Sequence, residues 1–199
     1  LYLARFLASR KTNLSQTFLV FLIVVGLISL LLILQPNVGT LGIIVLTAIL
    51  MYFSARTPIW QSILVVLAGF GGLAVLMKFS VYRFNRLLAF LNPTADPQGI
   101  SYQVTQSIIT VGSGGLLGQG LGLSEEKFGL LPQPMSDSIF AIFAKEAGFA
   151  GAVFLISFFL IFLWAGFRIA QKTKSQFSQL LAMGITSWIV LQAFINIGA

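Results

Sequence analysis

Long runs of residues without a charged side chain dominate this sequence and predict its architecture. Four such runs cover residues 12–55, 57–77, 147–167 and 175–199. A helix that crosses the hydrocarbon core needs about 20 predominantly apolar residues, so the first run has room for two spans and each of the others for one. The pattern predicts an all-α fold: a polytopic transmembrane helical bundle with a large extracytoplasmic loop.

Turn signals set the expected bounds of these spans. Pro36 lacks a backbone donor and Gly39 tolerates unusual dihedral angles, so the first run is expected to turn there between two helices. We predict one membrane domain over residues 1–199, with helices at 15–34, 38–54, 58–79, 138–167 and 177–198 and an outer loop at 80–137. Because the sequence begins at Leu1 without Met and ends inside an apolar run, we expect it to be a fragment of a longer chain.

The basic residues orient the spans. With successive crossings, seven of the 12 basic residues fall on one side of the membrane, namely Arg5, Arg10, Lys11, Arg56, Arg168, Lys172 and Lys174. The positive-inside rule makes that side cytoplasmic, so the loop at residues 80–137 faces outward. The net charge of +7 therefore reflects orientation, and no nucleic-acid partner is expected.

Composition narrows the chemistry that the chain can perform. The sequence is 57% hydrophobic and 9% charged, with no His, no Cys and five carboxylates. Proton transfer near neutral pH must therefore fall mainly to Asp or Glu, with Lys and Tyr as further candidates. The lack of cysteine excludes disulfides and thiolate metal sites.

The outer loop is too long to be a plain connection, because loops of this length are usually functional or disordered. Its many apolar and aromatic side chains favour a folded loop on the membrane surface, with short amphipathic helices near residues 84–91 and 102–111. Arg83 and Arg86 share one helical face, where two guanidiniums can hold a phosphate or pyrophosphate. The alternative is that both side chains extend to lipid headgroups. Asp96 precedes a proline and is interpreted as a turn residue.

A glycine-rich stretch at residues 112–122 has six glycines in 11 residues. It matches neither the Walker loop nor the dinucleotide-binding fingerprint. Its backbone amides either cradle an anion or belong to a tight turn that lets two backbone segments pack closely. Lys127, a lone cation just beyond the stretch, is a candidate contact for a phosphate.

Asp137 lies where the outer loop meets an apolar helix. After Pro132 and Pro134, an Asp at this place is typical of a helix N-cap, and it is equally a candidate catalytic acid or base. Lys145 and Glu146 interrupt the apolar helix about two turns later. Ionisable groups at membrane depth are functional or paired, unless the helix projects outward and leaves both at the interface.

Several motifs, taken in their order along the chain, resemble the FtsW/RodA/SpoVE family of shape, elongation, division and sporulation proteins. They occupy residues 35–40, 82–87, 90–99, 102–107, 112–115, 118–124, 127, 131–132 and 137–141. The resemblance covers nearly the whole chain. The stretch from Gly120 to Lys127 is similar to the FtsW and SpoVE branch.

The resemblance implies a function. Family members have ten transmembrane helices and polymerise lipid II, a disaccharide-peptide on undecaprenyl pyrophosphate, in the bacterial cytoplasmic (inner) membrane. The family's essential Asp falls on Asp137, which would act as general base for the acceptor 4-hydroxyl. The residues that would bind the substrate are Arg83, Arg86, Gln103, Gln106, Ser113, Gly114, Lys127 and Glu146.

The resemblance also implies partners. A class B penicillin-binding protein would cross-link the strands, together with divisome or elongasome proteins. No cofactor is expected, except that pyrophosphate chemistry is commonly accompanied by a divalent cation, Mg²⁺ or Mn²⁺, for which the sequence shows no site. The alternatives are a lipid II flippase and a non-catalytic scaffold for the transpeptidase.

Two positions depart from the family's usual pattern. Asn37 stands where Asp is common, so a charge that the family pattern would place at that turn is missing here. Lys145 stands where the first of two paired Glu residues is usual, so only Glu146 carries over. Lys145 reverses a charge near the expected cavity, and altered activity is therefore an expectation.

Overall fold

A computed structural model describes residues 1–9, 14–35, 37–55, 57–78, 102–120 and 139–198. The described residues form seven helices: α1 (Tyr2–Ala8), α2 (Leu14–Leu34), α3 (Val38–Ser54), α4 (Ile59–Lys78), α5 (Tyr102–Ser113), α6 (Ile139–Lys172) and α7 (Gln176–Gly198). Helices α2, α3, α4, α6 and α7 occupy the ranges of the five predicted long helices, although α6 runs five residues beyond the predicted end at 167 and is broken at Gly148. Helix α5 confirms the second amphipathic helix of the outer loop, while the first, near residues 84–91, lies outside the described residues.

Three of the described helices are long and apolar enough to cross a membrane, over Ser15–Leu34, Ile139–Lys172 and Gln176–Gly198. The apolar helices at Val38–Ser54 and Ile59–Gly69 are shorter. An all-α, multi-pass membrane protein is thus confirmed.

The chain divides into two compact units, Leu1–Gly72 with Leu160–Ala193, and Leu73–Phe159 with Phe194–Ala199. Tyr52 lies at the core of the first unit, and its ring is 4.4 Å from that of Phe21 between centroids. The Tyr52 hydroxyl donates a 2.7 Å hydrogen bond to Gln61 Oε1, so its polar end is satisfied although the side chain is buried. This bond joins α3 to α4.

The start of α3 depends on a side-chain cap. Asn37 Oδ1 accepts a 3.1 Å hydrogen bond from the backbone N–H of Thr40. Asn and Asp are about equally good N-caps, whereas Ala leaves the amide without this partner. We expect Asn37→Ala to lower the free energy of unfolding by about 1 kcal/mol and Asn37→Asp to leave it nearly unchanged. Unfolding of the full-length protein in mixed micelles with increasing SDS measures both, and equal loss in the two variants would contradict the cap.

Helices α6 and α7 approach closely at Gly166. A Cβ added there would lie 2.9 Å from Thr186 Cβ and still closer to both γ atoms of that buried side chain. Small residues allow such close helix contacts in membranes, and overpacking costs about 1–3 kcal/mol. Gly166→Ala is therefore expected to lower the SDS midpoint of unfolding. Gly26→Ala is the matched control, because a Cβ on Gly26 meets nothing within 4 Å; an equal fall in both would contradict the packing argument.

Candidate functional site

Helix α6 is broken at Gly148, so the prediction of one uninterrupted helix from residue 138 to 167 is wrong at this point. Gly148 has φ 69° and ψ −172°, a backbone conformation that is essentially restricted to glycine. The break divides α6 into a first segment, residues 139–147, and a second segment, residues 149–172. A glycine inside an apolar helix is ordinarily tolerated, which is why the sequence pattern alone did not reveal the break.

A loop that follows α5 fills the break. Residues 114–120, here called the glycine loop, run alongside Gly148 and exchange four backbone hydrogen bonds with α6. Two donate to the end of the first segment, Gln119 N to Lys145 O at 3.0 Å and Gly120 N to Glu146 O at 3.1 Å. Two come from the start of the second segment, Phe149 N to Gly115 O at 2.9 Å and Ala150 N to Leu116 O at 3.1 Å. We call these four bonds the clamp.

The clamp meets a requirement that every helix end creates. The last carbonyls and first amides of a helix have no partner within it, and an unsatisfied backbone group away from water costs several kcal/mol. At the break in α6, the glycine loop supplies two donors and two acceptors at once. The broken helix is thereby accommodated without leaving these four groups unpaired.

Glycine is required at three positions because the backbones are nearly in contact. A Cβ on Gly114 would lie 2.8 Å from Lys145 Cα, and one on Gly118 would meet the Glu146 carbonyl. On Gly148 it would lie 2.6 Å from Leu117 C and 2.7 Å from Leu116 O. These are backbone atoms, which cannot move aside as a flexible side chain can.

The two interpretations of the glycine-rich stretch can now be compared over residues 114–120. Gly118 N donates to Gly114 O at 2.9 Å, and the amides of Gln119 and Gly120 donate to α6. These three amides are engaged by the protein's own carbonyls and are not available to cradle an anion. For residues 118–120, close backbone packing is therefore the interpretation that the structure supports.

Glu146 and Lys145 lie at the end of the first segment of α6, directly before the break. Glu146 is buried, with 8% of its surface exposed, and Lys145 is half-buried. The two charges thus end a helical segment instead of interrupting a continuous one.

The structure brings other predicted substrate residues to the same region of the second unit. Gly114 is buried against α6, and Ser113 precedes it at the end of α5. The Ser113 hydroxyl donates to Thr110 O at 2.7 Å, and Gln119 Nε2 donates to Ser113 O at 3.1 Å. Gln103 and Gln106 lie on the preceding turns of α5. Four residues predicted from the motifs, together with Glu146, therefore belong to α5, the glycine loop and the end of the first segment.

The other predicted site residues, Arg83, Arg86, Lys127 and Asp137, lie outside the described residues. Of the five carboxylates in the sequence, the structure describes Glu146 alone. Within the described ranges, no group of three or more potential ligands could hold a metal ion.

The cap at Asn37 bears on the first departure from the family pattern. Its role in the structure is to accept a hydrogen bond from Thr40 N, which an amide oxygen does as well as a carboxylate. The capping function of this turn therefore survives without the charge.

Comparisons with known proteins agree over the whole sequence. The family model for the FtsW/RodA/SpoVE cell cycle proteins matches residues 1–199. The chain is 38% identical to stage V sporulation protein E of Bacillus subtilis (strain 168), over 99% of this chain and 55% of that protein. It is 37% identical to the probable peptidoglycan glycosyltransferase FtsW of Coxiella burnetii, over 100% of this chain and 55% of the relative. The corresponding FtsW of Saccharophagus degradans is 40% identical over 99% of this chain and 52% of its own length. The chain thus spans about half the length of these relatives.

Proposed function

Because this chain belongs to the FtsW/RodA/SpoVE family of cell cycle proteins, we propose that the full-length protein polymerises lipid II into glycan strands as an inverting peptidoglycan glycosyltransferase. The family match over residues 1–199 is the observation that carries the proposal. The relatives named probable peptidoglycan glycosyltransferase FtsW support the reaction type.

In the proposed reaction, the 4-hydroxyl oxygen of the acceptor sugar attacks the anomeric carbon of the donor. The bond from that carbon to the pyrophosphate oxygen breaks, and undecaprenyl pyrophosphate leaves with the bonding electrons. Asp137 accepts the hydroxyl proton as general base, a role that typically contributes a factor of about 10²–10⁴ to the rate. Attack on the face opposite to the leaving group inverts the anomeric configuration.

Negative charge grows on the pyrophosphate as the bond breaks, and fixed cations stabilise such charge most when they are already in place. Arg83 and Arg86 are proposed for this task, because a guanidinium forms paired hydrogen bonds to phosphate oxygens. Lys127 is proposed as a third cation. If a divalent ion such as Mg²⁺ or Mn²⁺ takes part, it would neutralise the same oxygens.

We place the outer loop, with Asp137, on the extracytoplasmic face of the bacterial inner membrane, where the disaccharide of lipid II is accessible. The distribution of Lys and Arg supports this orientation. A class B penicillin-binding protein is the proposed partner, because new strands must be cross-linked by a transpeptidase. Divisome or elongasome proteins would complete the assembly.

A lipid II flippase is the rival proposal, and the broken helix makes it worth weighing. Discontinuous helices in transporters direct free backbone groups at the substrate or a coupling ion near the membrane midplane. At Gly148, two amides and two carbonyls beside the break bind the glycine loop instead. This occupancy favours chemistry at the outer loop over a transport site at the break.

Reconstitution into vesicles separates the two activities. Labelled lipid II is placed in both leaflets, and glycan strand formation and movement of lipid II between leaflets are measured with the full-length protein and its transpeptidase. We expect strand formation. Movement of lipid II without strand formation would establish the flippase instead, and neither activity, with the complex intact, would indicate a scaffold.

A further inference from the structure

The clamp fixes the segment that follows the proposed base. The first segment of α6 begins at Ile139, two residues after Asp137, and ends at the break. Its nine residues, 139–147, rise about 13 Å at 1.5 Å per residue. A rotation of this short segment about its clamped end therefore displaces its other end, Ile139, which lies two residues from Asp137 in the sequence.

The other side of the clamp is the glycine loop, which directly follows the helix that carries predicted substrate residues. Gly114 directly follows α5, which carries Gln103, Gln106 and Ser113. Residues 115 and 116 accept from the second segment of α6, and residues 119 and 120 donate to the first. One seven-residue loop thus joins α5 to both segments.

The glycine loop and the first segment of α6 approach so closely that their geometry depends on glycine. A Cβ at Gly118 meets the Glu146 carbonyl, to which Gly120 N also donates. Relief of that contact requires the glycine loop and the first segment to separate, which lengthens the clamp bonds. Displacements of about 1 Å can cost a factor of 10² in rate when they misplace a catalytic group.

We propose that Gly114, Gly118 and Gly148 are positioning residues, which through the clamp hold the first segment of α6 at a fixed place against the glycine loop; this segment begins two residues after Asp137 in the sequence. The inference rests on the proposed glycosyltransferase function. The clamp stays closed throughout the catalytic cycle, and the glycines act on the rate of the chemical step without touching the substrate. For Gly114, this role replaces the substrate-binding role that the motifs suggested.

The first test compares two substitutions of the same kind, two residues apart. In Gly114→Ala the new Cβ meets the α6 backbone, whereas in Gly112→Ala it meets nothing within 4 Å. With the purified full-length protein, its transpeptidase and labelled lipid II, we expect Gly114→Ala and Gly118→Ala to lower kcat at least tenfold while KM changes less than threefold. Gly112→Ala should keep both values.

The second test measures by cysteine cross-linking whether the two sides of the clamp lie close together. It is possible because this sequence contains no cysteine. Leu116 and Ala150 are joined by a clamp bond and both are exposed. We expect the pair Leu116→Cys with Ala150→Cys to be cross-linked by a short bis-methanethiosulfonate reagent, whose disulfide links can be reduced, after removal of any native cysteine elsewhere in the full-length protein. The control pair is Leu116→Cys with Phe158→Cys, since Phe158 lies eight residues further along α6, about 12 Å along its axis.

Each outcome decides a different point. The inference predicts efficient cross-linking of the first pair alone, a cross-linked enzyme within twofold of the parental rate, and poorer cross-linking when Gly118→Ala is added. Loss of activity on cross-linking with recovery on reduction would overturn the closed clamp, and parental kcat in Gly118→Ala, or a change confined to KM, would overturn the positioning role. If the parent cross-links normally but makes no glycan strands, the proposed function fails and the positioning role fails with it.

Discussion

Replacing Asp137 by Asn is expected to reduce glycan strand synthesis by a factor of about 10²–10⁴, the usual contribution of a general base. The amide is nearly the same size as the carboxylate but cannot accept the proton of the attacking hydroxyl. Binding of lipid II should persist, because the pyrophosphate is assigned to Arg83, Arg86 and Lys127. The measurement is the initial rate of polymerisation at saturating lipid II, with lipid II binding determined separately.

Asp96→Asn is the matched control for this prediction. It removes one carboxylate from the same outer loop, at a residue between Pro93 and Pro97 that is assigned to a turn. We expect a rate within about twofold of the parent. A comparable fall in both variants would point to the overall charge of the loop, and not to a specific base. A parental rate in Asp137→Asn would remove the assignment altogether.

Gly148→Ala is expected to cause a large loss of stability. The non-glycine residue is strained by about 1–3 kcal/mol in this backbone conformation. Its Cβ would also lie within 2.7 Å of backbone atoms of Leu116 and Leu117, which adds an overpacking cost of about 1–3 kcal/mol. We expect the SDS midpoint of unfolding to fall well below that of the parent, with loss of the cross-link between positions 116 and 150.

Gly112→Ala is the control for Gly148→Ala, because Gly112 lies in α5 and a Cβ added there meets nothing within 4 Å. Alanine is favoured over glycine by roughly 0.5–1 kcal/mol within helices, so this variant should be as stable as the parent or slightly more so. If Gly148→Ala unfolds at the parental midpoint and keeps the cross-link, the break in α6 is not the stable state of the protein.

The helices of this protein were predictable from the sequence because the membrane imposes a strong local rule. Runs without charge located α2, α3, α4, α6 and α7, and the turn residues Pro36 and Gly39 separated α2 from α3. Hydrophobic length and charge are properties of single segments, so no knowledge of tertiary contacts was needed. The amphipathic helix α5 was predicted from the apolar and aromatic side chains of its own segment, which is again a local property.

The break at Gly148 could not be predicted in this manner, because it depends on a partner about thirty residues away. Glycine has a free-energy cost at this position whether the helix is continuous or broken. The four hydrogen bonds that compensate the break come from residues 115–120. Two local signals existed, the charged pair Lys145 and Glu146 directly before Gly148, and the glycine spacing at 114 and 118. Neither identifies the other segment, so the clamp required the structure.

The candidate site was predicted in part. The motifs placed Ser113, Gly114 and Glu146 among the substrate residues, and the structure places all three at the ends of elements that meet at the clamp. Periodicity could not assign them a contact, because a glycine that packs against a backbone and one that lines a cleft look the same in a sequence. The roles of Asp137 and the three cations stay predictions.

The most direct test of the account is the formation of glycan strands from labelled lipid II in detergent micelles, where no bilayer separates two leaflets and transport cannot contribute. The sample is the purified full-length protein with its class B penicillin-binding protein inactivated as a transpeptidase, and the readout is strand length on a gel. The account predicts strands of many disaccharides from the parent and none above background from Asp137→Asn. Unchanged lipid II with the parent, or strands of equal length and rate from both proteins, would contradict it.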